Sequence, residues 1–152
     1  MNTETTSPIL FYSVGEEFGN FSNFAPFPIK IGGRLWPTSE HYFQAQKFTD
    51  QSHIKKICST SSPMAAARLG RSRKIRIKKT WEKSKDSVMY IAVTEKFTQH
   101  EELRELLLST GDRKIIEHTR NDDYWGDGGD GTGQNMLGRI LMKVRAQLRS
   151  SS

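Results

Sequence analysis

Apolar residues fall into short runs and helical stripes, separated by clusters of Gly, Pro, Asn and Asp. Residues 9–12 and 29–36 are rich in branched and aromatic side chains and predict short strands. The second folds about Gly32-Gly33, a pair suited to the positive backbone angles of a tight hairpin. Thr38 or Ser39 caps a predicted helix to about Phe48, with Tyr42, Phe43 and Ala45 or Gln46 at helical spacing. Ser62-Pro63 opens another, through Met64-Ala65-Ala66-Ala67, closed by Gly70. Trp81 opens the clearest amphipathic helix, in which Val88, Ile91, Ala92, Glu95 and Lys96 alternate apolar and polar faces up to about Phe97. Residues 100–109 put Leu103, Leu106 and Leu107 on one face, and 114–119 suit a strand. From Asn135 to about Leu148, Leu137, Ile140, Leu141, Val144 and Leu148 oppose Arg139, Lys143 and Arg145, which face water or a ligand. The pattern predicts a mostly helical α+β domain with a few short strands over 9–149, between a disordered tail (1–8) and a short one (150–152).

Composition narrows this little but excludes much. With 152 residues, 35% of them hydrophobic, the chain suits one domain whose fold hides roughly 68–70% of the unfolded surface. Cys58 stands alone and cannot form an internal disulfide, and the polar start lacks the charged and apolar regions of a secretory signal, so the cytoplasm is expected. No stretch reaches the roughly 20 apolar residues that span a bilayer, and collagen-like, coiled-coil and disordered classes also fail. The net charge of +6 is local. Eight cations (Arg68, Arg71, Arg73, Lys74, Arg76, Lys78, Lys79, Lys83) and one acid, Glu82, lie between 68 and 83, leaving 15 basic and 16 acidic residues elsewhere. Such a segment suits a phosphate-bearing partner, or a solvated face kept for solubility.

The longest stretch without apolar periodicity runs from Asn121 to Asn135 and holds five glycines within 126–133. Glycine loses the most freedom on folding, so such a loop is expected to approach something closely. Trp125 can stack a flat ring or simply pack on the core. Gly126 and Asp127 lie beside it, carboxylates can supply a general acid or base, and Asn135 begins a helix whose amides could face a phosphate. The spacing of Asp127 and Asp130 lacks the twelfth-position Glu of a helix-loop-helix calcium site, and no P-loop occurs. The second constellation runs from Phe21-Ser22-Asn23-Phe24 to Trp36-Pro37-Thr38-Ser39-Glu40-His41. Glu40 falls in a helix's first turn, where capping is the ordinary explanation; the company of Asn23, Trp36 and His41 favours a ligand role. His41 and His118 show no paired spacing with a Cys or acid partner, so no metal site is expected, and each suits a surface or core position.

Read in order, these segments resemble the NADAR superfamily and, within it, the YbiA-like N-glycosidases of riboflavin-biosynthesis intermediates. The resemblance runs from about Phe11 to Leu148 through Phe21-Ser22-Asn23-Phe24, Trp36-Pro37-Thr38-Ser39-Glu40-His41, Ser62-Pro63-Met64 with Arg68 and Gly70-Arg71, and Trp81-Glu82. It continues with Lys85, Met89, Lys96-Phe97, Glu117-His118-Thr119, Tyr124-Trp125-Gly126-Asp127-Gly128-Gly129, Asn135, Leu137-Gly138 and Leu141-Met142. It implies hydrolysis of the bond between a ribose carbon and an amino-bearing base, without cofactor, with functional roles for Glu40, Trp81 and Asp122. Members of the superfamily are associated either with ribosyl aminopyrimidine phosphates or with ADP-ribose on guanine in RNA or DNA.

Breaking an N-glycosidic bond leaves an oxocarbenium-like sugar, which a carboxylate can stabilise or trap by activating water while another group protonates the base. The expectation is that Glu40 and Asp122 flank the sugar, that Trp81 or Trp125 stacks on the base, and that cations from Arg68 to Lys79, Arg71 among them, hold the phosphate. Trp81 also suits a core anchor, and Cys58 an ordinary buried residue. The expected partner is a phosphorylated ribosyl small molecule, not a membrane. The rivals are an ADP-ribosyl-guanine hydrolase on RNA or DNA and a non-catalytic reader of ADP-ribose or NAD.

Overall fold

The structure, a computed structural model, describes residues 7–151. Residues 1–6 of the tail expected over 1–8, and Ser152 of the C-terminal one, lie outside the described residues. The described chain holds four short strands: β1 (Ile9–Phe11), β2 (Ile29–Ile31), β3 (Arg34–Trp36) and β4 (Ile115–Glu117). Its six α-helices are α1 (Ser39–Ala45), α2 (Gln51–Ser59), α3 (Pro63–Gly70), α4 (Trp81–Gln99), α5 (Glu101–Ser109) and α6 (Met136–Ser151). The expected mostly helical α+β class holds. Residues group into two units, 23–99 and a discontinuous one made of 7–22 and 100–151. Among the described residues no helix is long and apolar enough to cross a membrane.

In the 23–99 unit the hairpin turns where the glycine pair predicts. Ile29 pairs with Trp36 and Ile31 with Arg34, while Gly32 and Gly33 take φ of 63° and 78°, angles that side chains resist. Trp36 then buries beside Ile29, Tyr42, Ala45, Phe48, Ile57, Ala66 and Ala92. Helix α1 ends at Ala45, earlier than its apolar pattern predicts, because Lys47 accepts the Lys78 N–H and Phe48 bridges to Ile77. Helix α2 is absent from the predicted elements; Asp50 caps it by accepting the His53 N–H, and it buries His53 and Ile57. Helix α3 keeps its predicted bounds, with the Ser62 hydroxyl accepting from Ala65 N–H. The buried face of α4 carries Trp81, Met89, Ala92, Val93, Lys96 and Phe97, whereas Ile91, expected on the apolar side, is exposed.

In the other unit β1 and β4 pair in parallel, Ile9 opposite Ile115 and Phe11 opposite Glu117, and α5 and α6 supply buried Leu103, Leu107, Leu137, Leu141 and Val144. Arg145, expected to face water or a ligand, is buried instead and donates to Thr110 Oγ1 (2.9 Å) and to the Arg113 carbonyl (2.8 Å), offsetting the cost of hiding its charge. Helix α6 continues through Ser150 and Ser151, residues expected in a tail.

Candidate active site

The start of α1 is built to hold one carboxylate. Thr38 is the cap, its hydroxyl oxygen accepting the His41 N–H, so Glu40 is not needed for that task. The Glu40 N–H donates to the Asn23 carbonyl (3.2 Å), and the Ser39 hydroxyl donates to Asn23 Oδ1 (2.8 Å). Asn23 in turn reaches Met89 of α4 through its amide, 3.3 Å from Sδ. Asn23 thus fixes the backbone from which Glu40 projects. The Glu40 carboxylate accepts from Gln44 Nε2 at 2.6 Å, one helical turn on, and the residue is only 8% exposed. Burying a carboxylate is costly unless hydrogen bonds meet it, so its retention here needs a reason that capping does not give.

His41, expected at the ligand, is fully buried with both ring nitrogens engaged by the protein. Its Nε2 meets the Thr60 carbonyl, which only accepts, so Nε2 carries the hydrogen. Burial lowers the imidazole pKa despite that carbonyl, favouring the neutral ring, whose Nδ1 then accepts from the Thr38 hydroxyl at 2.7 Å. His41 therefore braces the helix start. Trp36, also expected to bind ligand, lies in the core with its edge against Tyr42 and the Arg34 guanidinium 5.4 Å from its ring centre.

Lys47, which the sequence reading did not single out, completes the cluster around Glu40. It lies in the turn just past the end of α1, and its ammonium meets the Gly70 carbonyl at 3.4 Å. Burial lowers its pKa; Glu40 and Glu82 oppose that shift and Arg71 adds to it. Its spacing was the available signal, since a helix running to about Phe48 would set positions 40, 44 and 47 on one face. Gly70 is required because a Cβ there would overlap Gln44 Oε1. Trp81 is nearly buried, 5.1 Å between ring centres from Phe43 on α1, so the core-anchor role applies to it whatever else it does. Arg68 and Arg71 are exposed, as are Arg73, Lys74, Arg76, Lys79 and Lys83, while Lys78 is half-buried.

The glycine loop of the other unit folds around Asp127. Asp127 Oδ1 accepts from the N–H groups of Thr119 (3.1 Å) and Gly129 (2.9 Å), and Oδ2 lies 2.7 Å from His118 Nδ1. Burial by itself raises the Asp127 carboxyl pKa, but the bonds from His118, Gly129 and Thr119 outweigh it and hold the group below its ordinary value. His118 thus has an acid partner nine residues on, a pairing that spacing did not single out. The glycines serve this packing: a Cβ on Gly126 would crowd Thr119, Asp122 and Glu117, and Gly128, Gly129 and Gly131 all take positive φ. The close approach expected of the loop is to itself.

Asp122 orients the segment that follows. Its Oδ1 accepts from the N–H groups of Tyr124 (2.9 Å) and Trp125 (2.8 Å), fixing the carboxylate's direction and leaving Trp125 half-buried. Asn135, expected to lead a phosphate-facing helix end, has φ 52° and bonds through its amide to Glu117 N (2.9 Å) and the Ile115 carbonyl (2.9 Å). The first amides of α6 are also taken, Met136 donating to the Tyr124 carbonyl and Leu137 to that of Trp125. These amides are spent on the loop rather than turned toward a phosphate. The predicted residues thus form two sets: Asn23, Glu40, Arg71 and Trp81 with Lys47 in one unit, and Asp122, Trp125 and Asp127 with His118 in the other.

The NADAR domain model matches residues 10–149. The chain is 56% identical over 140 residues to N-glycosidase YbiA of Escherichia coli (strain K12), covering 92% of this chain and 88% of that protein. It is 41% identical over 145 residues to N-glycosidase Npun_R5314 of Nostoc punctiforme, with 93% of each covered. It is also 44% identical over 142 residues to the riboflavin biosynthesis protein VVA0006 of Vibrio vulnificus, of which it spans 39%. The NMR structure of the E. coli protein YbiA matches with a TM-score of 0.89 at 54% identity, over 95% of this chain and 86% of that one. The chain belongs to the NADAR family. Within that family it is an N-glycosidase, a hydrolase of N-glycosyl compounds, which displaces the non-catalytic reader.

Proposed function

We propose that the enzyme hydrolyses the bond between ribose phosphate and an aminopyrimidine in early riboflavin-biosynthesis intermediates. The observation that carries this reading is Glu40, a nearly buried carboxylate relieved of capping by Thr38 and aimed by Gln44 and Asn23. Support for the substrate comes from the relative named for riboflavin biosynthesis. As the bond lengthens, positive charge builds at the ribose carbon. A carboxylate, Glu40 or Asp122, steadies that charge or activates the attacking water. Trp81 or Trp125 stacks on the base, and Arg68, Arg71 and their exposed neighbours meet the phosphate.

Purified protein is incubated with the ribosyl aminopyrimidine phosphate and, separately, with RNA or DNA bearing ADP-ribose on guanine, and free base or free ADP-ribose is followed by mass spectrometry. Base release from the first alone is the expected result; turnover of the second alone would replace this reading. Glu40→Gln should keep the fold and lower turnover by several powers of ten, on the order of the loss from removing a group essential to the transition state. The second reading, an ADP-ribosyl-guanine hydrolase, is favoured by the exposed cations of 68–83, which suit a polyanionic strand. A polymer-binding surface would lose affinity steeply with salt.

A further inference from the structure

The Asp127–His118 pair answers a need that the carboxylates leave open, since the departing nitrogen must gain a proton. Asp127 is 5% exposed and both its carboxylate oxygens are engaged, by two backbone N–H groups and the imidazole. The His118 side chain, in contrast, is 47% exposed, and its backbone is fixed by donation to the Phe11 carbonyl at 2.9 Å. Because a carboxylate only accepts, Nδ1 carries the hydrogen in the 2.7 Å contact. Nε2 is then the nitrogen that gains and loses a proton, and it makes no hydrogen bond among the described residues. An imidazole held by a buried acid, with its other nitrogen presented outward, is the arrangement that proton-transfer histidines require. The same frame holds Asp122: the Gly128 N–H, next to Asp127, donates to the Asp122 carbonyl at 3.1 Å.

We propose that His118 is the general acid that protonates the leaving amine, with Asp127 as its positioning residue; this rests on the N-glycoside hydrolysis proposed above. The C1′–N bond breaks with its electron pair going to nitrogen, which takes the proton from Nε2 of the imidazolium. Water adds to C1′, its proton passing to a carboxylate and then to solvent, and the imidazole regains a proton from solvent before the next cycle.

The test compares two leaving groups in wild type, His118→Asn and Asp127→Asn. Asn at 118 keeps a donor toward Asp127 but lacks Nε2, and Asn at 127 keeps an oxygen for the backbone N–H groups. The substrates are the ribosyl aminopyrimidine phosphate, whose amine needs a proton to depart, and p-nitrophenyl riboside 5-phosphate, whose phenolate does not. His118→Asn should lose roughly 10²–10⁴-fold in kcat/KM on the amine substrate and stay within a few-fold of wild type on the aryl substrate. Asp127→Asn should show the same selectivity to a smaller degree, which a purely structural defect would not. Added imidazole should restore amine turnover in His118→Gly. Equal losses on both substrates without imidazole rescue, or full amine activity in His118→Asn, would overturn the assignment. A wild type that releases no base from the amine substrate would instead reject the proposed function, and this assignment with it.

Discussion

Lys96 offers a measurable link between burial and pH. It is 1% exposed on the face of α4 shared by Met89, Ala92 and Val93, and its ammonium lies 5.5 Å from the Phe97 ring centre. Burial lowers its pKa from 10.5 to about 7. Unfolded chains hold that proton to about pH 10.4, whereas the folded chain releases it near neutrality, so between these limits the unfolded state binds more protons and stability rises with pH. At pH 7 the folded side chain is half-protonated; the interval to pH 8 contributes about 1 kcal/mol and that to pH 9 slightly more, giving about 2 kcal/mol in all. Lys96→Met keeps a long apolar stem and removes the proton. Urea unfolding of both proteins at pH 7, 8 and 9, followed by tryptophan fluorescence, gives the difference in slope directly, because other groups titrate alike in both. Wild type should gain about 2 kcal/mol on the variant across that range. Parallel pH dependences, within a few tenths of a kcal/mol, would show that Lys96 stays charged in the folded protein and would refute the reasoning.

Thr38→Ala removes both the α1 cap and the hydroxyl partner of His41, and should cost about 1–2 kcal/mol in chemical denaturation while leaving Glu40 chemically intact. Gly138→Ala places a Cβ against the Ile115 carbonyl of β4, which cannot step aside as a side-chain end can, so a loss of about 2–3 kcal/mol and a lower Tm are expected. Gly70→Ala displaces the Gln44 amide from beside the buried Glu40 carboxylate, so a loss of about 1–3 kcal/mol in stability is expected together with a fall in kcat of roughly 10–100-fold in steady-state assays.

Elements whose cause is local were legible. The Gly32-Gly33 turn, the Ser62-Pro63 start and the Trp81 opening are written in neighbouring residues, and their bounds agree with the pattern. Helix α2 was not predicted, although Ile54, Ile57 and Cys58 recur at helical spacing and face one core cluster. The early end of α1 escaped because the 77–78 segment imposes it from thirty residues away. In the site, Glu40 stood out by residue type and company, and Asp122 only through the family resemblance. The jobs of His41, Asp127 and Asn135 did not, because each is set by a partner that only folding supplies: the Thr60 carbonyl, the His118 ring, and the Ile115 and Glu117 backbone. Lys96 runs against the rule that lysine stays exposed, although its spacing from Met89, Ala92 and Val93 falls on that buried face.

The parallel pairing of Ile9 with Ile115 sets a timetable for biosynthesis. At about 5–20 residues per second, the ribosome leaves β1 without its mate for roughly 5–20 s, while the whole 23–99 unit emerges. For that interval Phe11 and Ile9, later wholly enclosed, are bare on the nascent polypeptide and open to chaperones. Slower translation over residues 23–99 would lengthen that exposure and should lower the yield of native enzyme without altering a single atom of the finished molecule.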